Sequence, residues 1–203
     1  MMRELNYLLE KNRLRNRYLV MRHGHSLANE AGIIVSHPDN GCHGYGLSEL
    51  GRAQVELSLE CAAGLDHKTL IISSDFRRAL ESAQIAHAAL ACKSPVKIEP
   101  RLRERYFGEL ELTSDQGYGQ VWRADADDPD SELGGMESAN RVMQRMTAVV
   151  VEIEAERRDA TVLLVSHGDA LQLLQTAFQK QDASRHRSLP HLDTAEIRRL
   201  ELA

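Results

Sequence analysis

Arg22, His23, Arg78, Glu104 and His167 are the residues of this chain whose types and placement could do chemistry together. Arg22 and His23 stand in Arg22-His23-Gly24, directly after the apolar run Tyr18-Leu19-Val20-Met21. His167 stands in Ser166-His167-Gly168, directly after Val162-Leu163-Leu164-Val165, and Arg78 follows Leu70-Ile71-Ile72-Ser73-Ser74 by a few residues. Two guanidiniums offer planar forks that match the oxygens of a phosphate. An imidazole beside them can change charge near neutral pH, and a carboxyl can pass a proton. Short apolar runs bounded by turn residues predict buried parallel strands, and an open α/β sheet binds ligands outside the carboxyl ends of its strands. The motifs are therefore expected at one edge of one sheet, as a single site.

The elements that must hold them there alternate strand with helix. Ser48 can cap a helix over residues 49–65, with Leu50, Ala53, Leu57, Cys61 and Leu65 on one face. A strand is predicted at 69–73, then a helix at 76–91 burying Phe76, Leu80, Ala83, Ala86 and Leu90. A weak strand at 96–98 ends at Pro100, and Ser138 caps a helix reaching 158 with Val142, Met146, Val149 and Ile153 inward. A strand at 161–165, a helix at 169–178 and a mixed-polarity edge strand at 195–202 follow. This order predicts an α/β fold with a mostly parallel sheet flanked by helices. Residues 31–45 read as a loop over the first strand end. Residues 101–136 are the least regular stretch, holding the only Trp, Trp122, and an acidic patch at Asp125, Asp127, Asp128 and Asp130. Such a segment inside a compact domain reads as a lid or binding loop, assigned here to residues 105–135. Residues 1–17, with Lys11, Arg13, Arg15 and Arg17, read as a short solvated leader helix preceding a single domain over 18–203.

A chain of 203 residues suits one domain with a substantial core. The net charge of -5 gives no reason to expect a nucleic-acid partner. Cys42, Cys61 and Cys92 lack the spacing of a disulfide framework or a zinc knuckle, which points to reduced thiols in the cytoplasm. No apolar run approaches the ~20 residues that span a bilayer, and charges interrupt the N-terminal apolar residues where a signal peptide would be continuous. No membrane partner is expected.

Taken together and in order, six segments resemble the histidine phosphatase superfamily, the fold shared by cofactor-dependent phosphoglycerate mutases and many phosphomonoesterases. They are Arg22-His23-Gly24-His25-Ser26-Leu27-Ala28-Asn29, Leu47-Ser48-Glu49-Leu50-Gly51-Arg52-Ala53-Gln54, Ser73-Ser74-Asp75-Phe76-Arg77-Arg78-Ala79, Leu102-Arg103-Glu104 with Phe107-Gly108, Gly135-Met136-Glu137-Ser138, and Ser166-His167-Gly168. The resemblance implies a three-layer phosphoglycerate mutase-like fold with a lid-like insertion after the Glu104 motif. It implies that His23 is a nucleophile forming a phosphohistidine, that Glu104 is the proton donor, and that Arg22, Ser26, Asn29, Arg78 and His167 meet the substrate phosphate. That chemistry needs His23 neutral, with its second ring nitrogen held by a backbone carbonyl, and Glu104 raised in pKa by burial. His167 would serve best protonated. The side chains supply the positive charge, so no metal and no other cofactor is implied. The partner implied is a small phosphomonoester, although phosphoproteins also occur among substrates of the family.

Departures from the family pattern bear on the branch. Asp75 stands where Pro is usual, Phe107 replaces a Tyr that mutases use on substrate, and Asp169 replaces an Asn. No Lys occurs between Arg101 and Met136, where mutases carry one. Phosphatase is thus expected over mutase. A metal-dependent hydrolase reading would use His23, His25 and Asp169 as ligands, but it leaves the guanidiniums unexplained. A non-catalytic binding protein on this fold would be marked by loss of the nucleophile or the acid, and neither is lost. Arg77 is read as a surface ion-pair partner, and His37, His43, His67, His87, His186 and His191 as loop or surface residues.

Overall fold

The computed structural model describes residues 5–203. Its centre is a five-stranded sheet in the order β3-β2-β4-β1-β5. β1 (Arg17–Arg22), β2 (Leu70–Ser73), β3 (Lys97–Ile98) and β4 (Thr161–Ser166) run parallel, and β5 (Ile197–Leu200) lies antiparallel on the edge beside β1. Successive side chains of a strand point to opposite faces. Tyr18, Val20, Val162 and Leu164 accordingly face one layer of the core, and Leu19, Met21, Leu163 and Val165 face the other. Burial on both faces explains why these strands read as unbroken apolar runs.

The helices form the outer layers. α1 (Leu27–Ala31) and α2 (Pro38–Gly41) are single turns in the loop after β1. α3 (Glu49–Glu60) and α4 (Arg77–Ala89) cover one face through Val55, Leu59, Ala79, Ala83 and Ala86. α5 (Tyr118–Asp127) lies in the lid-like segment, over a small core of Ile34, Phe107, Val121 and Met136. α6 (Ala139–Glu156) and α7 (Gly168–Phe178) cover the second face, α6 with Val142, Met146, Val149 and Ile153 inward as its periodicity predicts.

Two expectations are corrected. α3 ends at Glu60, and Leu50, Ala53, Leu57 and Cys61 face solvent; its buried positions are Gly51, Val55 and Leu59. The contact made by Gly51 sets that face. A Cβ on Gly51 would overlap the His25 carbonyl oxygen, and one on Gly24 would overlap the Gly51 carbonyl oxygen, so the helix start presses directly on the Arg22-His23-Gly24 turn. A side-chain pattern cannot register a backbone-to-backbone approach.

The N-terminal segment is not a solvated helix from residue 5 onward. Leu8 is fully buried in the main core, and the Asn6 amide donates to the Ala177 carbonyl at 3.0 Å. The backbone amides of Arg15 and Asn16 and the Tyr18 hydroxyl all donate to the Glu154 carboxylate. Asn6 and Leu8 thereby tie the segment to the α7 side of the core, which the charge run concealed.

Candidate active site

The parallel register decides where the motifs emerge. Arg22 is opposite Ser166 and Ser73 is opposite Val165, so His23, His167 and Ser74 leave their strands at one level of the carboxyl edge. The His23 and His167 rings meet edge to face at 5.2 Å between centroids, and Phe76 packs against His167 at 5.1 Å. Arg78, in the first turn of α4, donates from Nε to His23 Nε2 at 3.0 Å and from Nη2 to the Val35 carbonyl at 2.9 Å. Arg22 donates from Nη1 to the Leu192 carbonyl at 2.9 Å, with His191 Nε2 also at 2.9 Å.

His23 Nδ1 donates to its neighbour's carbonyl, Gly24 O, at 2.8 Å, which leaves the Nε2 lone pair facing the site. Burial, then Arg78 and Arg22, push its pKa well below the ordinary value, so the ring is neutral. His167 is also neutral, through burial, Arg78 and His23. The expectation that it serves protonated is therefore not met here. His167 Nε2 and the Ser74 hydroxyl are hydrogen-bonded at 2.9 Å, and Nδ1 has no protein partner. A neutral imidazole still carries one ring N–H to donate.

Glu104 is held by its backbone and by one oxygen. Ser166 Oγ donates to the Leu102 carbonyl at 2.7 Å, and Arg145 of α6 donates to the carbonyls of Arg101 and Arg103. Oε1 of Glu104 accepts from the backbone amides of Arg105 and Ala170, the latter in the first turn of α7. Burial first, then the charge of Asp169, raise its pKa above the ordinary carboxylate value. Its charge in turn favours the charged forms of Arg22 and Arg78, whose pKa values burial lowers. The five residues singled out from the sequence therefore gather at one place.

Ser26 and Asn29 are engaged with each other. Ser26 caps α1, and its amide and hydroxyl both donate to Asn29 Oδ1. His25 turns away from His23 and pairs with Ser48 Oγ at 3.0 Å. Among the described residues, the cluster with metal-ligand geometry is Asp125, Asp169 and His186, and Arg105 sits in it at 2.6 Å from Asp125 and 3.2 Å from Asp169. A guanidinium fills the place a cation would take.

That cluster was not legible beforehand. Arg105 and Asp125 are both fully buried, so Asp125 is no part of a surface acidic patch, and His186 is a core residue. Asp169 also accepts from Trp122 Nε1 at 2.9 Å, which pins α5 to α7. Trp122 stacks on Tyr118 at 5.5 Å, and Arg187 lies over Trp122 at 3.7 Å. Burial and Glu104 raise the Tyr118 pKa far above its usual value. His191, exposed as expected of a loop residue, nonetheless contacts Arg22. Arg77 is the surface ion-pair partner it was read to be, with Glu81 at 2.8 Å. His23 and Arg78 are each 4% exposed, Glu104 9% and His167 0%, while Arg22 is partly exposed.

A mostly parallel sheet carrying a neutral imidazole beside two guanidiniums at its carboxyl edge is an α/β arrangement suited to phosphoryl groups. Comparison with known proteins places it further: residues 18–203 match the histidine phosphatase superfamily (branch 1), and the chain belongs to that family. It is 35% identical over 159 residues to the probable phosphoglycerate mutase GpmB of Proteus mirabilis, covering 76% of this chain and 70% of that protein. It is 34% identical over 178 residues to the glucosyl-3-phosphoglycerate phosphatase of Mycolicibacterium vanbaalenii, covering 80% and 73%. Among solved structures, a mycobacterial glucosyl-3-phosphoglycerate phosphatase in complex with VO3 superposes with a TM-score of 0.71 at 27% identity, covering 90% of this chain and 91% of that one. No helix among the described residues is long and apolar enough to cross a membrane.

Proposed function

We propose that this protein is a phosphomonoester hydrolase that works through a phosphohistidine on His23, with Glu104 as proton donor and without a metal ion. The carrying observation is a set of buried nitrogens without protein partners beside a neutral imidazole: the donors Arg22 Nε and Arg78 Nη1, together with His167 Nδ1. Buried donors are normally paired, so an unpaired group of them is suited to three phosphoryl oxygens. In the first step His23 Nε2 bonds to phosphorus, the bond from phosphorus to the ester oxygen breaks, and Glu104 gives its proton to that oxygen. The arriving anion takes the Arg78 donors, which releases the His23 lone pair from the Arg78 Nε contact. In the second step Glu104 removes a proton from water, the water oxygen bonds to phosphorus, and the bond to nitrogen breaks, returning His23 and releasing phosphate. Asn29 meets the phosphoryl group through its side-chain nitrogen, since Oδ1 is taken by Ser26, and Ser26 acts by positioning it.

A relative named as a probable mutase supports a second reading, in which the phosphoryl group returns to an organic acceptor. Two features favour hydrolysis instead. The Phe107 ring is buried in the lid core and offers no hydroxyl, and residues 101–136 hold no Lys. The largely buried site suits a small phosphomonoester, as the printed substrate of the phosphatase relative also suggests. The test is a panel of phosphomonoesters assayed with and without chelator. Phosphate release that is unaffected by chelator, absent in His23→Ala and accompanied by an acid-labile, base-stable phosphoryl label on His23 is expected. Chelator-sensitive turnover, turnover surviving in His23→Ala, or interconversion of phosphoglycerates with little phosphate release would overturn the proposal.

A further inference from the structure

The phosphoryl chemistry accounts for Arg22 Nε, Arg78 Nη1 and His167 Nδ1, yet a further buried donor on a cation has no partner: Nη1 of Arg187. Arg187 belongs to the 3-10 turn Ala183–Ser188, after α7, and no step above uses it. Its guanidinium lies flat on Trp122 of α5 at 3.7 Å, so its planar fork is fixed rather than mobile. Nη1 is 3.9 Å from Asp169 Oδ1, beyond hydrogen-bond reach, and that oxygen already accepts from Trp122. Arg105 shares the Asp169 charge through Oδ2, so Asp169 does not by itself satisfy Arg187. The electrostatic neighbours of Arg187 include Arg22, a like charge, and exposed His191 stands close to both. A cation clamped near another cation, with an inward donor unpaired, is built to receive an anion.

Its place selects which anion. Arg187 is 29% exposed at the side chain, whereas Arg78 is nearly enclosed, so Arg187 stands toward the mouth of the site. Asp169 neighbours both Arg187 and Glu104, the proposed proton donor to the ester oxygen. On the hydrolase reading this is the leaving-group side.

We propose that Arg187 is a specificity-determining residue that binds a second anionic group, a carboxylate or a further phosphate, on the leaving-group side of the substrate. This rests on the hydrolase reading. It predicts that the protein discriminates between phosphomonoesters that differ only in that second charge. Two pairs test it by kcat/KM: 3-phosphoglycerate against glycerol 3-phosphate for a carboxylate, and ribose 1,5-bisphosphate against ribose 5-phosphate for a phosphate. Wild-type protein is expected to prefer the more anionic member of one pair, and that pair assigns the group. Arg187→Gln should lower the preference about 10- to 100-fold, the scale of a lost charge-assisted hydrogen bond pair. Arg187→Lys, which keeps the charge and loses the fork, should retain part of it. No preference in either pair, or equal losses on both members in Arg187→Gln, would overturn the inference and leave Arg187 as a clamp on Trp122. Wild-type protein that hydrolyses none of these esters, nor nitrophenyl phosphate, would instead refute the hydrolase reading.

Discussion

Glu104→Gln, read on two esters with different leaving groups, separates proton donation from the other roles of that carboxyl, and the structure lets glutamine take its place. Oε1 accepts two backbone amides, from Arg105 at 2.9 Å and Ala170 at 3.1 Å, and uses no proton to do so. The glutamine carbonyl oxygen therefore occupies the Oε1 position, and its nitrogen falls where Oε2 faces the site. Neither backbone donor is left unpaired, and a buried ionisable group becomes a neutral one, so the fold should be retained. What is lost is a transferable proton. A positioned general acid contributes about 10²–10⁴-fold, so hydrolysis of an alkyl phosphate should fall by that factor in kcat. That corresponds to about 2.7–5.4 kcal/mol of transition-state stabilisation. Nitrophenyl phosphate, whose leaving group departs without a proton, should fall by less than about tenfold in the step that forms the phosphohistidine. Burst measurements on the two esters isolate that step. Equal losses on both would refute the acid assignment and show that Glu104 acts only through its charge on Arg22 and Arg78.

The pH profile follows from the same groups. His23 must be neutral and its pKa lies well below 6.5, while Glu104 must be protonated and its pKa lies above 4.5, so kcat/KM for an alkyl ester should fall at high pH as Glu104 ionises. That alkaline limb should be absent in Glu104→Gln, and its persistence there would assign it to another group. Leu8→Ala should cost about 2–5 kcal/mol in urea unfolding, as for a fully buried leucine; a cost near zero would return residues 5–16 to a solvated leader. Arg105→Met strands the Asp125 and Asp169 carboxylates and should destabilise by about 3–5 kcal/mol, with Asp125→Asn milder because Arg105 keeps Asp169 and the Glu137 carbonyl.

The parts legible in the sequence were those set by local pattern. The runs of β1, β2 and β4 are apolar because both faces are covered, and α6 carries its buried stripe in its own spacing. Arg22, His23 and His167, with Arg78 shortly after β2, could be placed together because parallel register puts strand ends at one level. The misses share a different cause, in contacts made by groups distant in sequence. The buried face of α3 is chosen by a glycine touching a carbonyl. Leu8 sits in a charged segment, and its burial comes from packing in the core with α6 and α7. Arg105, Asp125, Asp169 and His186 come from four separated segments, and only Arg105 and Asp169 stand next to recognised motifs. A Trp in an otherwise polar stretch was the one local hint that α5 buries one side, with Val121 and Asp125 inward.

The near-complete enclosure of His23, Arg78, Glu104 and His167 carries a kinetic consequence. If residues 105–135 act as a lid, so that α5 must lift before a phosphate reaches these groups, capture waits on an opening resisted by the Arg105–Asp125 pair, the Trp122–Asp169 bond and the Arg187–Trp122 stack. If the open form is a fraction of the population, the apparent association rate is the encounter rate multiplied by that fraction. A substrate group that reaches Arg187 would then gain its binding energy as α5 settles, shortening the time the site stands open to water. On that reading the rate of entry, rather than the affinity of the phosphate donors, would set the selection among esters in a mixture.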